Sequence, residues 1–366
     1  MEGGKFLASG AYGCAHQAPI KCEGNANRKK AYYTNSVGKL FGRPEFAQEE
    51  YEMYKIIHRY DPEHEWTLPM LEKCTVTSFD KEDEPQKCDH IVQESKRNYD
   101  QIIYKNGGTD LSMLMKKYVK HSNTERRRVF MEVFRSIGPV MKGLSNLNSH
   151  NYHHMDIKPG NILYNGKRLS VIDFGLLHAS DELYVTENAS IMKFDYPYYP
   201  PEFKLFAAVL VRYTFAYFRT SFMKNVKYYD LLPSQVEQIH LELDRFCRLI
   251  KESQHAHNAS KKKSDGSSSQ KKNRTLTKTH VATELMRLKD KIDLYSLGIC
   301  LYEFYDTMVG DDQTPLTLVA KEFIIKMTNK NPYERLSWAD AIQEYERLLK
   351  VIGHSAQSTD AQKKMK

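Results

Sequence analysis

Residues 153–175 read "HHMDIKPGNILYNGKRLSVIDFG", and this stretch decides the fold. It sets Asp156 and Asp173 seventeen positions apart, with Lys158 and Asn161 close behind the first. The strand-like "LSVIDFG" delivers the Asp173 carboxylate at the end of an apolar run, where it could hold a divalent cation against a polyphosphate. Upstream, His154, Asp156, Lys158 and Asn161 lie on a loop stiffened by Pro159. A carboxylate at 156 can accept a hydroxyl proton, an ammonium at 158 can neutralise charge on a moving phosphoryl group, and an amide at 161 can hold a second metal ion. Two carboxylates, an amide and an ammonium at this spacing predict phosphoryl transfer.

The rest of the chain bounds that prediction. Its 366 residues are enough for one large or two ordinary domains with a sizeable core. The net charge of +8 is local: residues 255–280 carry seven Lys/Arg against one Asp, residues 351–366 three Lys against one Asp, and the remainder is neutral. The basicity therefore marks two polar segments and predicts no nucleic-acid groove. No apolar run approaches the ~20 residues of a membrane span, and "MEGGKFLASG" lacks the apolar core of a signal peptide. The cysteines, Cys14, Cys22, Cys74, Cys88, Cys247 and Cys300, are scattered without a CxxC pair. They read as reduced thiols of a soluble, intracellular protein, with Cys14, His16 and Cys22 as a weak zinc trio that lacks a fourth ligand.

Residues 1–105 mix short β-branched and aromatic runs with one helical stretch, "PEFAQEEYEMYKIIHRY" (44–60), in which Phe46, Met53 and Ile57 share a face beside Ala47, Tyr51 and Tyr54. Helices dominate from Leu111, beginning with "LSMLMKKYV" and "RVFMEVFRSIGPVMKGLSNLNSH". The paired glycines of "KNGGTD" (105–110) mark a hinge between the two parts. Within 205–290, Ser234 and Glu237 form a capping box ahead of an apolar stripe through Val236, Ile239, Leu243, Phe246 and Ile250. The basic run that follows (255–280) and the tail (351–366) are too polar to bury a core.

The order H-x-D-x-K-P-x-N then D-F-G resembles the signature of eukaryotic-type protein kinases. More of that pattern follows in sequence: "YYPPEF" (198–203) resembles the Ala-Pro-Glu element, "KIDLYSLGICLYEF" (291–304) the helix beneath the catalytic loop, and "NKNPYERLSWADAI" (329–342) the late arginine motif. The resemblance implies an α+β, two-lobed fold: a small β-rich N-lobe over 1–105 and a larger helical C-lobe over 106–350, with an insert at 205–290. It also implies ATP and Mg2+, with Mn2+ as an alternative, and protein substrates. Asp156 and Lys158 would be catalytic, and Asn161 and Asp173 would hold metal. Ala8, Gly10, Ala11 and Gly13 of "LASGAYGCA" would cover the phosphates, Ala8 standing where the family has its first glycine. Glu202 would pair with Arg335, and Asp293 would hydrogen-bond the catalytic-loop backbone.

The nucleotide-gripping lysine has two candidates. Lys21 lies only eight residues after Gly13, too few for a strand, turn and strand, so Lys39 of "NSVGKLFG" is preferred. Among Glu49, Glu50 and Glu52, Glu50 best fits the register of its partner. Met155 stands where many of these kinases carry an arginine that receives an activation-loop phosphate, which implies activity independent of such phosphorylation. Lys158-Pro159 resembles Ser/Thr rather than tyrosine kinases. "GAYGCAHQAPIKC", "VGKLF" and "YYPPEFKL" resemble the kinases of nucleocytoplasmic large DNA viruses, implying host cytoplasm or virion as location. The alternatives are a pseudokinase scaffold and a small-molecule phosphotransferase with a similar His-x-Asp loop. The basic run 261–274 reads as a solvated loop or a nuclear targeting signal.

Overall fold

The computed structural model describes residues 4–10, 12–23, 35–91, 98–180, 196–200, 203, 286–329 and 331–364, with side chains of the last helix described to 352. The capping box at 234–237, the stripe 236–250, the basic runs, Ala11 and Glu202 lie outside these residues. The chain divides into two units: 1–120 with 135–143 and 159–177, and 121–134 with 144–158 and 178–366.

The first unit is built on strands β1 (Lys5–Ser9), β2 (Gly13–Gln17), β3 (Ser36–Phe41), β4 (Met70–Val76) and β5 (Tyr99–Lys105), with helix α1 (Pro44–Tyr60) between β3 and β4. The strands form one antiparallel sheet in the order β1-β2-β3-β5-β4. Alternation along "SVGKLF" sends Leu40 to one face and Lys39 and Phe41 to the other. On the first face Leu40 packs with Cys14, Ile20, Val76, Cys88, Ile91 and Tyr99. On the second, Phe41, Ala47 and Ile102 bury the inner side of α1, so Lys39 shares the helix-facing side of the sheet.

Helix α1 starts at Pro44, whose missing N–H costs nothing in a first turn, and ends with His58 and Arg59 where cations complement the helix dipole. The chain then turns around Asp61. Its buried carboxylate accepts from the amides of Glu65, Trp66 and Thr67 and from the Thr67 hydroxyl. Past the sheet come β6 (Thr109–Asp110) and helix α2 (Leu111–Tyr118), whose cap is the Asp110 carboxylate accepting from Met113 N at 2.9 Å. The second glycine of "KNGGTD" is needed where it stands: Gly108 has φ +94°, and a Cβ there would lie 2.2 Å from the Tyr164 carbonyl.

Two disulfides correct the reading of the cysteines as reduced thiols. Cys14 bonds to Cys88, and Cys22 bonds to Cys74. Separations of 74 and 52 residues hide these pairs in the sequence, but the sheet brings each to a Cα–Cα distance of 5.8 Å. The zinc trio goes with them, since both of its cysteines are bonded elsewhere. His16 is wholly buried on β2, and burial lowers its pKa and favours the neutral ring.

The second unit is mainly helical. What reads as one helix, "RVFMEVFRSIGPVMKGLSNLNSH", is two: α3 (Asn123–Arg135) and α4 (Gly138–Ser149), broken just ahead of Pro139, whose ring tolerates only a first turn. The boundary between the units falls within α4, at 143/144. Strand β7 (Tyr152–His153) follows in the second unit; β8 (Ile162–Tyr164) and β9 (Leu169–Val171) join β6 in the first; and β10 (His178–Ala179) pairs with β7. Helices α5 (Ile292–Met308), α6 (Pro315–Met327) and α7 (Trp338–Lys364) complete the chain. Helix α5 is apolar nearly all round and is buried accordingly. Phe130, Phe134, Phe304, Tyr305, Phe323 and Tyr345 interlock edge-to-face and offset as the core of this unit, and the Tyr345 hydroxyl donates to the Phe134 carbonyl at 2.9 Å. Arg335 is buried, with its guanidinium over the Tyr295 ring at 4.7 Å and its Nε donating to Asn329 O at 2.9 Å.

Candidate functional site

In the first unit, β3 and α1 put Lys39 against the Glu50 carboxylate, and a second carboxylate, Asp173, lies 3.3 Å from the same ammonium. Tyr104 on β5 donates its hydroxyl to the other oxygen of Glu50 at 2.8 Å. Burial works against the Lys39 charge, but the two carboxylates outweigh it, and its pKa lies above the ordinary lysine value. Burial and the neighbouring Glu50 push the Tyr104 phenol well up, so it stays a donor. The other candidates are placed elsewhere. Lys21 pairs with Asp80 at the surface. Glu52 pairs with Lys55 on the outer side of α1, and Glu49 is exposed.

Asp173 has φ 64°, a left-handed backbone that costs a non-glycine residue of order 1 kcal/mol. It is half-exposed, and the amide of Ile172 before it donates to Asn161 O at 3.0 Å, which ties the two metal-ligand candidates to one another. The glycine-rich turn is closed by Gly10 N donating to Gly13 O at 2.8 Å. Gly13 permits the close approach of β2 to β3, because a Cβ there would lie 2.2 Å from Leu40 O. Ala8 is exposed beside an irregularity in the β1–β2 register. The His90 ring nitrogen contacts Gly10 O at 2.8 Å, so the 85–91 segment holds the turn from behind as well as through Cys88.

The second unit holds Asp156 and Lys158. The Lys158 ammonium donates to Asp156 Oδ2 at 2.8 Å, and the Tyr196 hydroxyl donates to Asp156 Oδ1 at 2.6 Å. The Asp156 amide donates to His154 Nδ1 at 3.2 Å, which makes that nitrogen the acceptor of the ring. Met155 between them is buried with φ 62°. This second strained residue is held from beneath by Asp293, fully buried at the start of α5. Its carboxylate accepts from the amides of His154 and Met155 at 2.9 and 3.1 Å and from Asn148 Nδ2 at 2.9 Å. Trp338 Nε1 in turn donates to Asn148 Oδ1 at 2.8 Å. The expected contact of Asp293 with the loop backbone is therefore present.

Reading the sequence missed Tyr104, Asn148, Trp338 and Tyr196. Tyr104 and Asn148 carry no motif, and Trp338 lies within "NKNPYERLSWADAI" (329–342), where only the arginine was assigned a role. Tyr196 belongs to "DYPYYPPEF", where only the final Pro-Pro-Glu had a family counterpart. Asp173 offers an accessible carboxylate, a hard oxygen donor of the kind a magnesium ion takes, and Asn161 is buried. The three closely spaced soft and hard donors Cys22, Glu72 and Cys74 include a disulfide instead.

No known family's profile matches the chain, and no curated protein does. Among solved structures, the chain is similar to the ROP18 kinase domain in complex with AMP-PNP and sucrose. The match covers 97% of this chain and 81% of that one at 13% identity, with a TM-score of 0.47.

Proposed function

We propose that the protein is a serine/threonine protein kinase with a two-lobed fold, transferring the γ-phosphoryl group of ATP to protein hydroxyls. The observation that carries this reading is the Lys39 ammonium set between the Glu50 and Asp173 carboxylates, which lie 11 and 134 residues away in sequence. A partly buried ammonium fixed by two carboxylates is prepared to meet phosphate oxygens. It fits the requirements that the H-x-D-x-K-P-x-N and D-F-G residues impose. In this mechanism Lys39 and the amides of the glycine-rich turn bind the polyphosphate. Asp156 orients the acceptor hydroxyl and takes its proton, and Lys158 offsets charge on the transferring group. Asp173 and Asn161 would hold Mg2+, which supplies neutralisation of the phosphate charge.

The test is transfer of labelled γ-phosphate from Mg-ATP to casein and to a basic protein, followed by phosphoamino-acid analysis. Label on serine or threonine is expected; ATP binding without any transfer would refute the reading. It would favour a nucleotide-binding scaffold, for which Ala8 in the glycine-rich turn and the covered Asp156 carboxylate speak.

Met155 bears on regulation. Its buried thioether has no charge with which to receive a phosphate, so ordering of the catalytic loop falls to Asp293. Phosphatase treatment of the purified protein is expected to leave the transfer rate unchanged, and a large loss of rate would count against this account. The resemblance to kinases of large DNA viruses extends the proposal to a virion or host-cytoplasmic setting.

A further inference from the structure

Asp156 is only 8% exposed, although the proposed reaction requires an acceptor hydroxyl to reach it. Of the groups that cover it, Lys158 on Oδ2 belongs to the machinery, whereas Tyr196 on Oδ1 has no part in it. Tyr196 offers what an acceptor offers, an O–H directed at the carboxylate, at 2.6 Å. Nor is the contact an incidental touch by a loose side chain. The Tyr196 ring packs edge-on against Tyr198 and Tyr199 at 5.1 and 4.8 Å, and Tyr199 packs on Phe203 at 5.2 Å. The Tyr198 hydroxyl donates to Glu303 at 2.9 Å, and its carbonyl accepts from the Ser296 hydroxyl at 2.8 Å, so the tyrosine trio is moored to α5. Burial, and then the bond to Asp156, raise the Tyr196 pKa and keep the phenol a donor.

We propose that Tyr196 fills the acceptor-hydroxyl position of Asp156, so that a protein acceptor must displace it and water is kept out until one does. Tyr196 is thereby a determinant of acceptor selection. This inference rests on the phosphoryl-transfer reading of Asp156. A hydrogen bond to a charged carboxylate is among the stronger ones in a protein, and giving it up weakens apparent acceptor binding by about tenfold or more. The same bond suppresses the side reaction with water. In that reaction the water oxygen bonds to the γ-phosphorus, the bond to the bridging oxygen breaks with its electron pair leaving on ADP, and the water proton passes to Asp156.

The experiment compares the full chain with Tyr196→Phe, which keeps the ring and its packing, and with Tyr196→Leu as a second variant lacking the hydroxyl. Two rates are read: phosphate transfer to dephosphorylated casein as its concentration varies, and Mg-ATP hydrolysis without a protein acceptor. The expected result is a fall of about tenfold in the casein KM together with a rise in hydrolysis of similar size. A fall in kcat at unchanged KM, or no change in either rate, would overturn the proposal while leaving the kinase reading in place. Absence of both transfer and hydrolysis in the wild-type chain would remove the kinase reading and this inference with it.

Discussion

Asp156→Asn is expected to lower phosphoryl transfer by about 10²- to 10⁴-fold, the usual worth of a positioned general base, while leaving the fold and ATP binding intact. Asparagine has the shape of aspartate: its amide oxygen can still accept from Lys158, and its amide nitrogen can donate to the Tyr196 hydroxyl, which accepts as well as donates, so the buried loop keeps a satisfied side chain. What it lacks is a negative charge and a site for the acceptor proton. In the proposed function ATP binding falls to the Lys39 constellation in the other unit, and it is predicted to change little. Parallel measurement of nucleotide affinity by calorimetry and of initial transfer rate separates the two effects. A variant that retained most of the wild-type rate would show that Asp156 is not the base.

Asp293→Ala is expected to destabilise the second unit by about 3–5 kcal/mol, the scale seen when a buried charged partner of several donors is removed. Three N–H donors, those of His154, Met155 and Asn148, would lose their acceptor in a site without solvent exposure. The loss compounds because Met155 holds a left-handed backbone that Asp293 restrains; freed from it, the loop would relax toward ordinary φ and carry Asp156 away. Chemical denaturation should show a lower midpoint, and transfer should fall even where the variant remains folded. Asp293→Asn is expected to be milder, since one amide oxygen can still accept. An Asp293→Ala variant within about 1 kcal/mol of wild type would rule out this supporting role.

The two parts of the molecule were unequally legible in the sequence. Helix α1 spans Pro44–Tyr60, the same seventeen residues marked by apolar periodicity, because a proline start and a regular stripe are local signals. Lys39 could be preferred over Lys21 from strand length alone, and the sheet pairs it with Glu50. The break between α3 and α4 was overlooked although Pro139 announces it. The cysteine pairs were beyond reading for another reason: whether Cys14 meets Cys88 depends on the order of strands that are remote in sequence, and spacing holds no trace of it. Tyr196 was illegible in the same way, since its partner lies forty residues earlier and one aromatic among several in "DYPYYPPEF" looks like packing.

The two units are held by different means. One hangs a modest core on a five-stranded sheet and staples it with two cross-links of long loops; the other is locked by interleaved aromatic rings, and its cysteine among the described residues, Cys300, is a buried free thiol. Cross-links that close loops of this length act chiefly by restricting the unfolded chain, and they vanish in reductant, whereas ring packing is indifferent to it. Cooperativity is therefore a property of the medium as much as of the chain. In oxidising buffer the sheet unit carries added resistance to melting, in reducing buffer it must stand on its core alone, and a single melting temperature does not describe the protein across both.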